Sequence, residues 1–156
     1  MGSYAVVGLG NRIQGDEGLG FAVVERLRAA GPPEHVRLID GGTVGLGLLP
    51  YLDDLDGLIV VDAVDDGRSA GSLIDLDGRT LLRSGPAMSV HDLGATELLG
   101  ALLVQDRLPR RVRLVGAQPG RIGLGTELSP PVSAAVAAVC GRTGWWLRRW
   151  QREDGG

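Results

Sequence analysis

Short apolar runs recur along this chain and alternate with glycine-rich or amphipathic segments. The run Leu58-Ile59-Val60-Val61 is apolar on both alternating faces, which is typical of a central parallel strand that helices cover on both sides. A weaker run at 72–76 predicts a further strand, which we place at an edge of the sheet. The remaining strands are predicted at 4–7, 36–39 and 112–115.

Helices are predicted between these strands. Apolar residues from Leu19 to Leu27 recur with helical spacing, and Gly31-Pro32-Pro33 ends this helix at about residue 30. The remaining helices are predicted over 46–55, over 91–103 and from Pro130 onward. Pro50 lies inside the first of these three and marks a kink or a late helix start.

The alternation of strands and helices predicts a doubly wound, mostly parallel α/β sheet with helices on both faces. A length of 156 residues suits a single domain. We assign this domain to residues 1–150 and a short C-terminal tail to 151–156. The segment Trp145-Trp146-Leu147-Arg148-Arg149-Trp150 has two interpretations: its tryptophans pack on the body of the domain, or they form a docking surface for a partner protein.

Composition narrows the classes of function. The net charge of −3 disfavours nucleic-acid binding, which requires concentrated cationic surface. No apolar run approaches the roughly 20 residues that span a bilayer, and the N-terminus enters a strand without a signal-like stretch, so we expect a cytoplasmic protein without a membrane partner. The single cysteine, Cys140, excludes an internal disulfide and a thiolate cluster, and we expect it on the buried side of a helix.

The candidate chemistry lies in Glu17, Asp62 and His91, which flank strands or glycine-rich turns. Asp62 follows the most apolar strand, where open α/β sheets usually bind ligands. Parallel strands would bring all three side chains to one edge of the sheet. Two carboxylates and one imidazole suit a divalent metal such as zinc, nickel, manganese or iron, with positions left open for substrate or water.

Simpler explanations exist for neighbouring motifs. Asp62 could cap a loop, and the helix dipole favours acids such as Asp16 near a helix start. Gly8-Leu9-Gly10 suggests a dinucleotide site, but the position that requires a third glycine is Ile13. We therefore disfavour nucleotide binding.

Several short motifs follow one another along nearly the whole chain. They are Gly8-Leu9-Gly10-Asn11, Asp16-Glu17-Gly18-Leu19-Gly20, Asp40-Gly41-Gly42-Thr43-Val44-Gly45, Asp62-Ala63, Ser89-Val90-His91-Asp92-Leu93-Gly94, Val115-Gly116-Ala117-Gln118-Pro119 and Leu128-Ser129-Pro130-Pro131-Val132. Any one of these motifs is a weak signal, but their joint order and spacing are specific. Together they resemble the hydrogenase maturation proteases.

This resemblance implies a cytoplasmic endopeptidase that trims a C-terminal extension from the large subunit of a nickel-iron hydrogenase after nickel insertion. It implies that Glu17, Asp62 and His91 take the family's metal-contacting positions. The substrate would supply the nickel, and another divalent metal such as zinc or cadmium would occupy the site in vitro. The partner is the large-subunit precursor. Gly120 departs from the acidic residue that the resemblance implies after Pro119.

Two cleavage schemes stay open. The metal could polarise the scissile carbonyl and activate a water, or it could only position the peptide while a carboxylate such as Asp16 or Asp40 acts as general base. The loop Asp40-Gly41-Gly42-Thr43 is expected to face the peptide, since its glycines allow close backbone approach.

Two other functions remain as alternatives: a non-catalytic module that binds a metal-loaded precursor, and a different peptidase that resembles the spore germination proteases.

Overall fold

The structure, a computed structural model, describes residues 2–83 and 93–155. The strands are β1 (Tyr4–Leu9), β2 (Val36–Gly42), β3 (Gly57–Ala63), β4 (Leu73–Asp77) and β5 (Arg111–Ala117). The helices are α1 (Leu19–Ala29), α2 (Gly78–Arg83), α3 (Leu93–Val104) and α4 (Pro130–Gly155), with 3-10 helices at Gly15–Gly18 and Gly45–Tyr51.

The described strands form one sheet in the order β2-β1-β3-β5-β4. β1 pairs in parallel with β2 and β3, β5 pairs in parallel with β3, and the edge strand β4 runs antiparallel to β5. The chain leaves β1 toward β2 on one side of the sheet and leaves β3 toward β4 and then β5 on the other side. This divergence opens a crevice at the carboxyl ends of β1 and β3, where doubly wound sheets bind ligands.

The sheet buries an apolar layer on each face. Ala5 and Val7 of β1 face a cluster with α2, α3 and the second 3-10 helix. Tyr4 and Val6 face the opposite cluster, which α1 and α4 complete. Successive residues of a strand point to opposite faces, so a strand that is apolar throughout is covered on both sides. The doubly wound, mostly parallel fold predicted from the sequence is confirmed.

Several elements differ from the sequence-based expectations. The segment expected to be helical over 46–55 is a 3-10 helix that ends at Tyr51, because Pro50 has no amide hydrogen for an α-helical bond. Strand β3 continues through Asp62 to Ala63, since both residues pair with β5. Helix α2 was not predicted, although Asp77 caps it by accepting hydrogen bonds from the amides of Arg79 and Thr80 at 2.9 and 3.2 Å.

Helix α4 continues through residues 151–155, which we had expected to form a tail. Asp154 accepts hydrogen bonds from the Tyr4 hydroxyl and from Arg110 and Arg111, the latter two at 2.7 Å. Burial and the contact with Asp154 raise the pKa of Tyr4 to about 12. The end of α4 is therefore part of the domain body.

Among the helices of the described residues, none is long and apolar enough to cross a membrane.

The tryptophans of α4 were expected either to pack on the body of the domain or to form a docking surface, and their environments differ. Trp150 is buried beside Tyr4, and the Trp146 ring nitrogen donates a hydrogen bond to Asp75 at 2.9 Å. Trp145 is 42% exposed and contacts Trp146 edge-on. Cys140 is half-buried, and burial raises the pKa of its thiol. Most of this segment thus stabilises the fold.

Candidate active site

A cavity of about 220 Å³ lies in the crevice at the carboxyl ends of β1 and β3. Its walls come from the last residues of β3, from the ends of β1 and β2 and the segments after them, from the loop after β5 and from the first turns of α3. Glu17 and Asp62 both line it. The structure therefore brings together two of the three residues that the sequence analysis proposed as metal ligands.

Asp62 reaches this cavity from the penultimate position of β3 and is 6% exposed. Its Oδ1 accepts a hydrogen bond from the amide of Ala63 at 2.8 Å. This hydrogen bond restrains the orientation of the side chain. Asp62 is thus a nearly buried, oriented side chain on the wall of the cavity.

Glu17 lies in the first 3-10 helix, and Gly10 controls how closely that helix approaches Asp62. Gly10 has a φ of 109°, a conformation that favours glycine. A Cβ at Gly10 would overlap the carbonyl oxygen of Glu17 and would lie 3.4 Å from Oδ1 of Asp62. The absence of this side chain lets the two acidic segments converge on one cavity.

His91 lies outside the described residues, so its part in the site stays a prediction. Two residues of α3, the helix that follows His91 in the sequence, line the cavity: Gly94 and Glu97. Within the described ranges 2–83 and 93–155, no group of three acidic, histidine or cysteine side chains is arranged to hold a metal ion. A three-ligand site that includes Glu17 and Asp62 therefore requires a donor from outside these ranges or from the substrate.

Asp16 has a different environment from the one expected. It is fully buried, and its carboxylate accepts hydrogen bonds from the amides of Gly120, Arg121 and Ser129 and from the Ser129 hydroxyl, at 2.6–2.8 Å. Burial alone would raise the pKa of Asp16, but the bonds from Arg121, Ser129 and Gly120 outweigh it and lower this pKa below its ordinary value. Asp16 does lie in the first turn of a 3-10 helix, where the helix dipole favours an acid, but its carboxylate accepts hydrogen bonds from residues 120–129 and not from the amides of that turn.

Asp16 and Asp40, the two carboxylates considered as general base, differ in their access to water. Asp16 has no exposed oxygen with which to take a proton from water. Asp40 is exposed near the end of β2 and borders a second cavity of about 160 Å³ with Arg12 and Thr43. Gly10, Asn11, Gly42 and Thr43 line both cavities. Asp40 is therefore the better placed of the two, and its catalytic role stays a prediction.

Sequence reasoning missed several residues of the site. Ile122 and Glu97 line the cavity, and Gln118 fastens the loop after β3. The Gln118 side chain accepts hydrogen bonds from the amides of Asp66 and Arg68 and donates one to Asp65. Gln118 lies three residues after the predicted strand 112–115 and directly after the observed β5, and this position near a strand end was the available signal.

Comparisons with known proteins agree with the geometry. The family model "HycI: Hydrogenase maturation protease" matches residues 21–143. The hydrogenase expression/formation protein HupD of Rhodobacter capsulatus is 36% identical over 149 residues, which are 93% of this chain and 71% of that protein. The hydrogenase 2 maturation protease of Escherichia coli K12 is 33% identical over 134 residues, 84% of this chain and 82% of that protein.

A solved structure shows the same fold. The hydrogenase maturating endopeptidase HybD of E. coli superposes with a TM-score of 0.83 at 29% identity, over 94% of this chain and 93% of that one. The family match covers most of the chain and includes Asp62, whereas Glu17 precedes the matched residues. This chain therefore belongs to the hydrogenase maturation proteases, peptidases that remove the C-terminal extension of a hydrogenase large subunit.

Proposed function

We propose that the nickel carried by the large-subunit precursor binds at Glu17, Asp62 and His91, so that the chain cleaves only precursor that is already loaded with metal. The observation that supports this most is the position of Glu17 and Asp62 on one cavity at the crevice of the sheet. A precursor without nickel would offer no cation to these carboxylates, and its peptide would not be held in place.

The carboxylates have distinct tasks in this proposal. Asp62, which the Ala63 amide orients, supplies a fixed negative oxygen at the cavity floor. Glu17 supplies a second oxygen from the turn above it. In one scheme the substrate's metal also polarises the scissile carbonyl and lowers the pKa of a bound water. In the other scheme the metal only anchors the peptide, and Asp40 accepts the proton of the attacking water.

Exposed apolar side chains near the cavity suit a polypeptide substrate. They lie on the segments after β1, β2 and β5, all at the carboxyl edge of the parallel strands. They are Ile13, Val44, Leu46, Ile122 and Leu124. Clusters of exposed apolar groups commonly mark protein-binding surfaces. We propose that the precursor docks on these residues, which we call the apolar rim, in the cytoplasm.

The decisive experiment incubates the purified chain with nickel-loaded and nickel-free large-subunit precursor and measures the mass of each product. We expect release of a C-terminal peptide from the loaded precursor alone. Binding without release would favour the non-catalytic module, and cleavage of unrelated peptides would favour a peptidase of the spore germination type. Equal cleavage of the nickel-free precursor would exclude recognition of the metal.

A further inference from the structure

We infer that Asp16 is a positioning residue that fastens the loop 119–129 to the turn that carries Glu17, and that the substrate-facing side of the cavity depends on this contact. The loop 119–129, called here the clasp loop, joins β5 to α4. The effect on cleavage rests on the proposed function, whereas the contact itself can be tested without substrate.

The clasp loop and the turn before α1 are joined along several residues. The Asp16 amide donates to the Arg121 carbonyl at 2.8 Å, and the Gly15 amide donates to the Gly125 carbonyl at 2.9 Å. The Gly125 amide in turn donates to the Ile13 carbonyl at 2.8 Å. These backbone bonds define the register, and the Asp16 carboxylate lies beneath them with four donors directed at it.

The chemistry of the contact requires a carboxylate. An ionised carboxylate only accepts hydrogen bonds, and both of its oxygens are used here. An asparagine would direct an NH₂ group toward at least one of these donors and leave a buried amide without an acceptor. Hydrogen bonds to a charged acceptor are also stronger than bonds between neutral groups.

Packing restricts the same contact from the loop side. A Cβ at Gly120 would lie 3.0 Å from the Cβ of Ala70 and 3.5 Å from Oδ2 of Asp16. The Gly120 amide can approach the carboxylate closely because this position has no side chain. The resemblance implied an acidic residue at position 120. The glycine found there instead is the residue whose amide contacts Asp16.

The position of the clasp loop matters for the cavity. Ile122 lines the cavity directly after Arg121, and Glu17 lines it directly after Asp16. Leu124, which is 89% exposed, also belongs to the apolar rim. Loss of the carboxylate would free Ile122 and Leu124 while leaving Asp62 in place. This would weaken substrate binding more than the chemical step.

A test without substrate uses trypsin, because Arg121 is the basic residue of the clasp loop. We expect Asp16→Asn to be cut after Arg121 about tenfold faster than the wild-type chain, and Ser129→Ala, which loses only the hydroxyl bond, about twofold to threefold faster. Circular dichroism checks that each variant is folded. If Asp16→Asn does not fold, the Ser129→Ala result decides. Wild-type cutting rates in the folded variants would overturn the inference.

A second test measures cleavage of nickel-loaded precursor. We expect Asp16→Asn to raise KM about tenfold with kcat within about threefold of the wild type, and Ser129→Ala to change KM in the same direction by less. A fall in kcat of about a hundredfold at unchanged KM would assign Asp16 to proton transfer and overturn the positioning role. If the wild-type chain cleaves nothing, the proposed function fails, and the trypsin result still decides whether Asp16 fastens the loop.

Discussion

Two aspartates, the fully buried Asp16 and the partly buried Asp75, accept similar numbers of hydrogen bonds from very different partners. Asp16, beside the cavity, is bound by three backbone amides and one hydroxyl, all of them neutral. Asp75, on the edge strand β4, is bound by Arg113, Arg142 and the Trp146 ring nitrogen at 2.7–3.0 Å. Hydrogen bonds lower the pKa of both carboxyls despite their burial.

The difference in partners indicates different roles: the hydrogen bonds of Asp16 shape the candidate site, and those of Asp75 stabilise the fold. At Asp75 the charge is neutralised by two arginines, and Arg113 also lies over the Trp146 ring at 4.2 Å. This cluster ties α4 to the sheet. At Asp16 the donors belong to a loop, so the carboxylate determines a local backbone conformation. We therefore expect changes near the cavity to alter cleavage and changes near Asp75 to alter stability.

The largest effect is expected for the two carboxylates that line the cavity. Glu17→Gln and Asp62→Asn should each lower cleavage of nickel-loaded precursor at least about a hundredfold, since an amide is a poorer metal ligand and carries no charge. Thermal unfolding should stay near that of the wild type. Normal processing by both variants, measured by the mass of the large subunit, would remove the proposed metal contact.

Asp75→Asn tests the other side of the comparison. We expect the free energy of unfolding to fall by about 2 kcal/mol at pH 7, because two arginines lose their shared counter-charge, while kcat/KM stays unchanged. Asp75 has a lower pKa in the folded state than when unfolded, so its contribution is complete above the unfolded pKa of about 3.9 and is lost as pH falls through the folded value.

Denaturant titrations between pH 3 and 7 measure this dependence. The difference in unfolding free energy between wild type and Asp75→Asn should be constant from pH 7 to about 5 and shrink below about 4. A difference that grows on acidification would show that the carboxylate is not stabilised in its ionised form.

The sequence was sufficient to predict the parts of the fold that depend on local patterns. The fully apolar run in β3 identified a strand covered on both faces, and the alternation of elements identified the doubly wound sheet. Pro50 marked the irregular segment, but a kink, a late helix start and a 3-10 helix are all compatible with one proline, so the local pattern did not decide between them. The short helix α2 was missed although Asp77 carries its cap signal.

The site was predictable where an acidic side chain lies at a strand end or in a glycine-rich turn. Glu17 and Asp62 were identified, and both line the cavity. The environment of Asp16 was not predictable, because its donors are 104–113 residues away in sequence and converge only in the folded chain. The apolar rim was missed for a similar reason, since Ile122 and Leu124 lie in a glycine-rich loop without periodicity.

A smaller effect is expected on the apolar rim. Leu124→Asp should raise KM for nickel-loaded precursor about fivefold and leave stability within about 0.5 kcal/mol, since the side chain is 89% exposed. Val104→Asp is the matched control: Val104 is 87% exposed but ends α3, about 10 Å along the helix axis from Glu97 at the cavity. An equal rise in KM for both variants would indicate a general charge effect rather than a docking surface.

The smallest effect is expected at Trp145, which tests whether the tryptophan-rich end of α4 serves the fold or a partner. Trp145 contacts Trp146 edge-on at 4.8 Å between ring centroids, and the Arg149 guanidinium lies 5.4 Å from its ring. Trp145→Ala should lower the free energy of unfolding by about 0.5–1 kcal/mol through loss of these ring contacts, with kcat and KM unchanged. A rise in KM at unchanged stability would instead assign this face of α4 to precursor binding. Substrate binding would then not be confined to the region of the cavity, and the contrast between the surroundings of Asp16 and those of Asp75 would no longer hold.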